Sequence, residues 1–149
     1  MIQRKQSLWL FIAADELLAI LSRECERVNA LKVCKVEYSL NDTGFKLSNT
    51  IKNFILRIIQ EFMQNSLKHA DCKNICLFFN YSDKGLTISA SDDGSGFDVN
   101  RYIGEDKKGI GLLNMKKRAE LIGADFSIRS SKNAGTVLQL FIPLNKLYA

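Results

Sequence analysis

The chain has 149 residues, of which 46% are apolar and 25% charged, a balance that provides enough side chains for a sizeable buried core. Its net charge of +5 comes from scattered lysines and arginines, with no basic cluster longer than residues 116–118, so we interpret it as solvated helix faces and expect no nucleic-acid partner. The apolar stretch at residues 8–21 contains two acidic residues and is too short to span a membrane. With no signal peptide, we expect a soluble, cytoplasmic protein.

The first half of the chain predicts a helix, a strand and a second helix. Residues 7 to about 29 have apolar side chains at three- and four-residue steps, with Ser7 as a candidate cap. The alternating stretch VCKVEYSL then predicts a strand that ends in the turn NDTG. Ser48 or Asn49 is placed to cap a second long helix, from about residue 50 to residue 70.

The second half predicts strands with one inserted helix. The runs NICLFFNY and GLTISASD form a predicted hairpin with Gly85 in its turn, and an exposed loop follows up to residue 108. A helix is predicted at GLLNMKKRAELIG with Gly123 as its cap, followed by the strands DFSIRS and TVLQLFIP. No linker or repeat divides the chain, so we expect a single α+β domain over residues 1–149, with helices on one face of a mixed sheet.

The cysteines are expected to be free thiols. None of the four has the CxxC spacing, and the single histidine cannot complete the usual structural zinc sets. The four are Cys25, Cys34, Cys72 and Cys76.

The second helix has a polar face with unusual composition. At about 100° per residue, one side collects Glu61, Gln64, Asn65, Lys68 and His69. The opposite, apolar side is predicted to be buried, and it collects Ile55, Ile59, Phe62, Met63, Leu67 and Ala70. The polar side is either a solvated surface or the wall of a pocket. The apolar Phe54 and Ile58, upstream on the polar side, favour the pocket.

Two glycine-containing stretches could approach a ligand. In DDGSGF a carboxylate precedes two glycines after a strand, which fits either a plain turn or close backbone contact with a flat ligand. In KKGIGLLNM two glycines precede a helix, where free N–H groups and the helix dipole favour phosphate. Each signal is weak by itself, and the spacing is neither the Rossmann nor the Walker pattern.

In combination these segments resemble the ATP-binding domain of sensor histidine kinases. The residues similar to its N box are Glu61, Asn65, Lys68 and His69. Those similar to its G1 and G2 boxes are Asp92, Gly94, Gly96, Gly109, Ile110, Gly111 and Leu112, and Gly135 and Thr136 resemble its closing GT pair. The resemblance covers about residues 47–144, and residues 1–46 carry no matched motif.

The resemblance implies the Bergerat fold of the ATPase superfamily shared with gyrase, heat-shock chaperones and mismatch-repair ATPases. This fold is a two-layer α+β sandwich with a mostly antiparallel sheet covered on one face by about three helices. The loop between the G1 and G2 boxes is short and lacks a phenylalanine-rich box. It therefore resembles the subgroup whose partners are response regulators with helix-turn-helix outputs.

The resemblance also implies roles at the adenine end of a nucleotide. Asp92 would accept a hydrogen bond from the adenine amine, which excludes guanine, and Gly94 and Gly96 would let the adenine lie close to the backbone. Thr136 would bind the adenine side through water.

At the phosphate end, Asn65 would bind Mg²⁺, and Gly109 and Gly111 would supply backbone donors and a hinge beneath a lid at residues 97–108. Glu61 would be the catalytic base. Lys68 and His69 would reach phosphate oxygens, unless Lys68 forms a salt bridge and His69 caps the helix.

The implied activity is transfer of the γ-phosphoryl group of ATP to a histidine on a dimerisation helix, and from there to a response regulator. The one histidine of this sequence lies in the N box, so the acceptor is expected on another segment or another chain. The chain would then be the catalytic piece of a sensor, whose other parts could be membrane-anchored, with no direct membrane contact here. The alternatives are a stand-alone anti-sigma-type protein kinase and a non-enzymatic ATP-binding module.

Overall fold

The computed structural model describes residues 15–42, 45–69, 71–99 and 110–148. Its helices are α1 (Asp15–Ala30), α2 (Asn49–His69) and α3 (Ile110–Leu121), with a short 3₁₀ helix at Leu144–Lys146. Its strands are β1 (Lys35–Leu40), β2 (Asn74–Ser82), β3 (Gly85–Asp92), β4 (Asp125–Ser130) and β5 (Thr136–Pro143). The start of the predicted first helix, with Ser7, lies outside the described residues, as does most of the predicted loop before α3.

The five strands form one mixed sheet in the order β1-β2-β3-β5-β4. The edge strand β1 runs parallel to β2, and the other three pairings are antiparallel. The hairpin of β2 and β3 closes with Ser82 opposite Gly85, so the predicted hairpin is confirmed. The predicted α+β fold with a mostly antiparallel sheet is also confirmed.

One face of the sheet is buried and forms one side of the hydrophobic core. In β2 the buried residues alternate with exposed ones, as the two-residue period of a strand requires. The register extends this buried row across the sheet, since Leu77 lies opposite Ala90 and Ala90 lies opposite Leu138. All three side chains are at most 1% exposed.

The second helix packs its apolar side into this core. Ile55, Ile59, Phe62 and Met63 are each at most 3% exposed, as predicted for this side of α2. Of the other two residues predicted there, Leu67 is partly buried and Ala70 lies outside the described residues. The same helix also contacts α1, α3 and the strand β3.

The ends of α2 and α3 that lie away from the site have specific caps. The Ser48 hydroxyl accepts a hydrogen bond from the N–H of Ile51 at 3.2 Å, so Ser48 is the cap and Asn49 is the first residue of α2. At the end of α3, Gly123 has a φ of +71° and donates its N–H to the carbonyl oxygen of Glu120 at 3.0 Å. The predicted glycine cap is confirmed.

All four cysteines are free thiols, and Cys76 alone among them is exposed. The sulfur atoms of Cys34 and Cys72 lie 3.3 Å apart in the core. Burial is the main cause that raises the pKa of both Cys25 and Cys72 to about 12.

Across the described ranges, none of the helices combines the length and the apolar character needed to cross a membrane.

Candidate nucleotide-binding site

The start of α3 lies directly against the polar face of α2. A Cβ atom placed on Gly111 would lie 2.5 Å from Oε2 of Glu61 and 3.5 Å from Nδ2 of Asn65. Glycine at position 111 therefore leaves the space that the Glu61 carboxylate occupies. The fold brings together two predicted site residues of α2 and one of α3, which are about 50 residues apart in the sequence.

The polar face of α2 is only partly exposed to solvent. Glu61 and Asn65 are half-buried, and upstream on the same side Phe54 is partly buried and Ile58 fully buried. This burial favours the pocket wall over the solvated surface. Gln64 and Lys68, on the same face, are exposed.

Two predicted phosphate neighbours, Gly109 and the His69 side chain, lie outside the described part of the structure. Gly109 lies outside the described residues, as do residues 100–108 of the predicted lid. His69 is the last residue of α2, and its side chain also lies outside the described part of the structure.

Asp92 ends β3 and is the one charged residue among the three buried polar or charged residues in the described part of the chain, with 9% of its surface exposed. Its Oδ2 accepts a hydrogen bond from the hydroxyl of Ser66 at 2.7 Å, and its Oδ1 accepts one from the N–H of Gly94 at 2.9 Å. The carboxylate is therefore bound at both oxygens, one from α2 and one from its own loop. This arrangement fixes its orientation.

Ser66 is the site residue that sequence reasoning missed. It is 1% exposed and lies about 140° around α2 from Glu61, on the apolar side of the helix. A hydroxyl on the buried face of a helix requires a hydrogen-bond partner, so its position was the available signal. The sequence could not indicate that the partner is Asp92.

Thr136 lies directly opposite Asp92 in the pairing of β3 with β5, and it is 5% exposed. Its hydroxyl oxygen lies 2.8 Å from that of Ser130, and the Ser130 hydroxyl also donates to the carbonyl oxygen of Gly135 at 3.0 Å. A hydroxyl has one proton to donate, and because that of Ser130 is given to Gly135, Thr136 is the donor in its bond with Ser130. Thr136 and Asp92 therefore both present hydrogen-bond acceptors.

The glycines of the first loop have structural roles of their own. Gly96 has a φ of +68°, and a Cβ atom there would overlap the carbonyl oxygen of Ser131 in the turn between β4 and β5. The position of the missing Gly96 side chain is therefore filled by this turn, and the backbone conformation itself favours glycine there. Gly94 is buried, and its N–H is bound to Asp92.

The neighbouring Asp93 has a different environment from Asp92. Its carboxylate accepts hydrogen bonds from the N–H groups of Lys73 at 2.8 Å and Asn74 at 2.9 Å, and from the Asn74 amide at 2.8 Å. These bonds, with the Asn74 side chain contributing most, lower the pKa of Asp93 to about 2. Asp93 thus joins the connection between α2 and β2 to the end of β3, while Asp92 faces the interior.

Known proteins are similar to this chain in sequence. The histidine kinase-, DNA gyrase B-, and HSP90-like ATPase family matches residues 50–146. Sensor protein VraS of Staphylococcus aureus is 34% identical over 112 residues, which cover 75% of this chain and 31% of the relative. Oxygen sensor histidine kinase NreB of Staphylococcus carnosus is 32% identical over 111 residues, which cover 73% and 31%. The chain therefore spans about a third of the length of these relatives.

Solved structures share the fold. The histidine kinase domain of the blue-light activated histidine kinase EL346 from Erythrobacter litoralis has a TM-score of 0.71 at 20% identity, covering 88% of this chain and 66% of that one. The histidine kinase AdeS of Acinetobacter baumannii has a TM-score of 0.68 at 11% identity, covering 87% and 64%. The family match covers most of the chain, and the relatives and solved structures are consistent with it. The chain belongs to the histidine kinase-, DNA gyrase B-, and HSP90-like ATPase family, whose domain binds ATP.

Proposed function

We propose that the chain is the ATP-binding catalytic domain of a two-component sensor histidine kinase. The observation that carries the proposal is the contact of Gly111 with Glu61 and Asn65, because it puts a carboxylate and an amide at the start of a helix. A helix start favours phosphate, and a carboxylate beside it is suited to act as a base. The relatives VraS and NreB, named as sensor proteins, support the same assignment.

At the base end, Asp92 accepts a hydrogen bond from the exocyclic amine of adenine. Guanine carries a carbonyl oxygen at this position, which would face the carboxylate without a proton between them, so it is excluded. Thr136 contributes a second acceptor through water, and the loop at Gly94 and Gly96 lines the same end. The acceptors of Asp92 and Thr136 support this orientation of the base.

At the phosphate end, backbone N–H groups at Gly109 and Gly111 face the triphosphate, and Lys68 and His69 contact its oxygens. The half-buried Asn65 amide fits Mg²⁺, a hard cation that takes most of its ligands from phosphate and water and neutralises developing charge. The lid at residues 97–108 closes over the nucleotide.

In the reaction, a ring nitrogen of the acceptor histidine attacks the γ-phosphorus. The bond from that phosphorus to the β–γ bridging oxygen breaks, and ADP leaves with the electron pair. Glu61 polarises the acceptor imidazole through its N–H group, which makes the attacking nitrogen more nucleophilic. The phosphohistidine then transfers its phosphoryl group to an aspartate of a response regulator.

The partners follow from this reaction. His69 is the only histidine of the sequence and ends the helix that carries Glu61, so the acceptor histidine belongs to a dimerisation helix elsewhere, in cis or in trans. The response regulator belongs to the class with helix-turn-helix outputs. We place the domain, residues 1–149 with the family core at 47–144, in the cytoplasm, without nucleic-acid or direct membrane contact.

The test is transfer from ATP to a dimerisation hairpin of a related sensor kinase, with the same hairpin lacking its histidine as the control. The proposal predicts phosphate on the intact hairpin alone, stable to base and labile to acid, as expected of phosphohistidine. Acid-stable phosphate on serine would instead indicate the anti-sigma-type kinase. Nucleotide binding without any transfer would indicate an ATP-binding module and contradict the catalytic assignment.

A further inference from the structure

Ser66 is a buried hydroxyl that the proposed reaction does not use. In a helix interior, a serine commonly bonds back to a carbonyl of the preceding turn or points to solvent. Ser66 instead donates to Oδ2 of Asp92 at 2.7 Å, across the boundary between α2 and β3. Both residues are at most 9% exposed, so the bond lies in a region with little water to replace it.

The two bonds of Asp92 determine which of its lone pairs remain for a ligand. An ionised carboxylate has about four acceptor positions, and Ser66 and Gly94 fill one on each oxygen. Rotation of the carboxylate about its last side-chain bond would lengthen both hydrogen bonds. The free lone pairs therefore keep one direction, and the orientation exists before a nucleotide arrives.

The same bond also determines what Ser66 can offer. Its single proton is given to Asp92, so towards a ligand or water it presents only lone pairs. Thr136 likewise donates its single proton, to Ser130, and so it too can only accept hydrogen bonds. None of the Ser66, Thr136 and Asp92 side chains thus has a proton left to donate, so a ligand group that bonds to any of them must be a donor.

We propose that Ser66 is a positioning and specificity-determining residue for adenine, which acts by orienting the Asp92 carboxylate towards the exocyclic amine. This inference rests on the proposed function, because it assigns the 6-amino group of ATP to Asp92. The positioning role of Ser66 differs from a purely structural role, because its effect on binding depends on the presence of the 6-amino group in the nucleotide.

The test is binding of two nucleotides to the 149-residue chain and its Ser66→Ala variant in the presence of Mg²⁺. One is a non-hydrolysable ATP analogue, and the other is the matching purine riboside triphosphate analogue, which lacks the 6-amino group. Removing a hydrogen bond to a charged group should weaken binding of the ATP analogue about tenfold. Binding of the purine analogue should change less than about threefold, because it forms no bond with Asp92 that depends on orientation.

Ser48→Ala is the matched control variant. Ser48 caps the other end of the same helix, so its loss destabilises α2 without removing a contact at Asp92. The inference is supported if the two variants lower the unfolding midpoint by comparable amounts and only Ser66→Ala selectively loses affinity for the ATP analogue. Ser66→Cys, which keeps a weak donor of similar size, should fall between the parent and Ser66→Ala.

Three outcomes contradict the inference. Equal weakening of both nucleotides in Ser66→Ala would show a structural role alone. Unchanged binding of both would show that Asp92 needs no positioning by Ser66. In either case, binding by the parent chain would leave the proposed function standing. A parent chain that binds neither nucleotide would overturn the proposed function and the inference together.

Discussion

The two ends of the site are built differently. At the base end, Asp92 is bound by Ser66 and Gly94 before any ligand is present. At the phosphate end, within the described part of the chain, neither the Glu61 carboxylate nor the Asn65 amide forms a side-chain hydrogen bond, and both are half-buried. In the proposed orientation of the nucleotide, the protein therefore preorganises the group at the base end, while the groups at the phosphate end would be available to a cation, phosphate and an acceptor.

In the proposed function, one end of the site recognises the base and the other takes part in phosphoryl transfer. A fixed array of acceptors selects one base, because a misfitting base leaves buried groups unpaired. Changes at the base end should alter affinity and stability, and changes at the phosphate end should alter transfer.

The largest expected effect is on transfer in the Glu61→Gln variant. Loss of a positioned base should slow phosphoryl transfer to the acceptor hairpin about a hundredfold to ten-thousandfold. Affinity for the ATP analogue should stay within about twofold, because the amide keeps the size of the carboxylate. Single-turnover transfer and nucleotide titration measure the two quantities. Transfer at the parental rate would remove the base role of Glu61.

The second prediction compares two glycines. Gly135 has a φ of +72°, and a Cβ atom there would overlap the carbonyl oxygen of Asp92, so Gly135→Ala should lower the free energy of unfolding by about 3 kcal/mol. In Gly111→Ala the Cβ atom meets the flexible end of Glu61, and alanine favours the helix, so the change should be below about 1 kcal/mol.

Gly111→Ala should nevertheless slow transfer, because the new methyl group displaces the Glu61 carboxylate. Denaturant unfolding measures the stability of both variants, and the hairpin assay measures their transfer. A large stability loss in Gly111→Ala, or none in Gly135→Ala, would contradict the division between the two ends.

The third prediction concerns acid. The folded-state pKa of Asp93 is lowered to about 2, so its hydrogen bonds stabilise the fold above the unfolded-state pKa of about 4 and are lost as the pH falls towards 2. Asp93→Asn should therefore be less stable than the parent at pH 7. The difference between the two unfolding midpoints should shrink between pH 4 and pH 2. A difference that is constant over this range would show that the carboxylate charge is not the cause.

The smallest expected effect is on thiol reactivity. Cys76 is exposed, whereas Cys72 is buried beside Ser66 with its pKa raised to about 12, so a thiol reagent should label Cys76 first. The fast phase of labelling should disappear in Cys76→Ser. A fast phase that persists in this variant would show that the core next to the base end opens readily.

Much of this organisation could be predicted from the sequence where the signal is local. The predicted start of α2 differs from Asn49 by one residue, and the helix is described as far as His69, one residue before the predicted end, because a cap and a long apolar period define it. The β2–β3 hairpin and the last two strands were predicted for the same reason. Local turn residues and alternation were sufficient there.

The parts that could not be predicted depend on contacts between distant segments. The bond from Ser66 to Asp92 joins residues 26 positions apart, and the parallel pairing of β1 with β2 requires the chain to return through α2. The packing of Gly96 on Ser131 likewise depends on a turn formed later in the chain. Sequence patterns indicate that such glycines and serines are special, but they do not identify the partner.

The measurement closest to the whole assignment is titration of the parent chain and Asp92→Asn with non-hydrolysable analogues of ATP and GTP in the presence of Mg²⁺. We expect the parent to bind the ATP analogue about a hundredfold more tightly than the GTP analogue, because the Asp92 carboxylate can accept a hydrogen bond from the 6-amino group of adenine but not from the 6-carbonyl oxygen of guanine. Asp92→Asn should lose this preference and most of its affinity for the ATP analogue. Equal binding of the ATP analogue by both proteins, or no preference in the parent, would contradict the account.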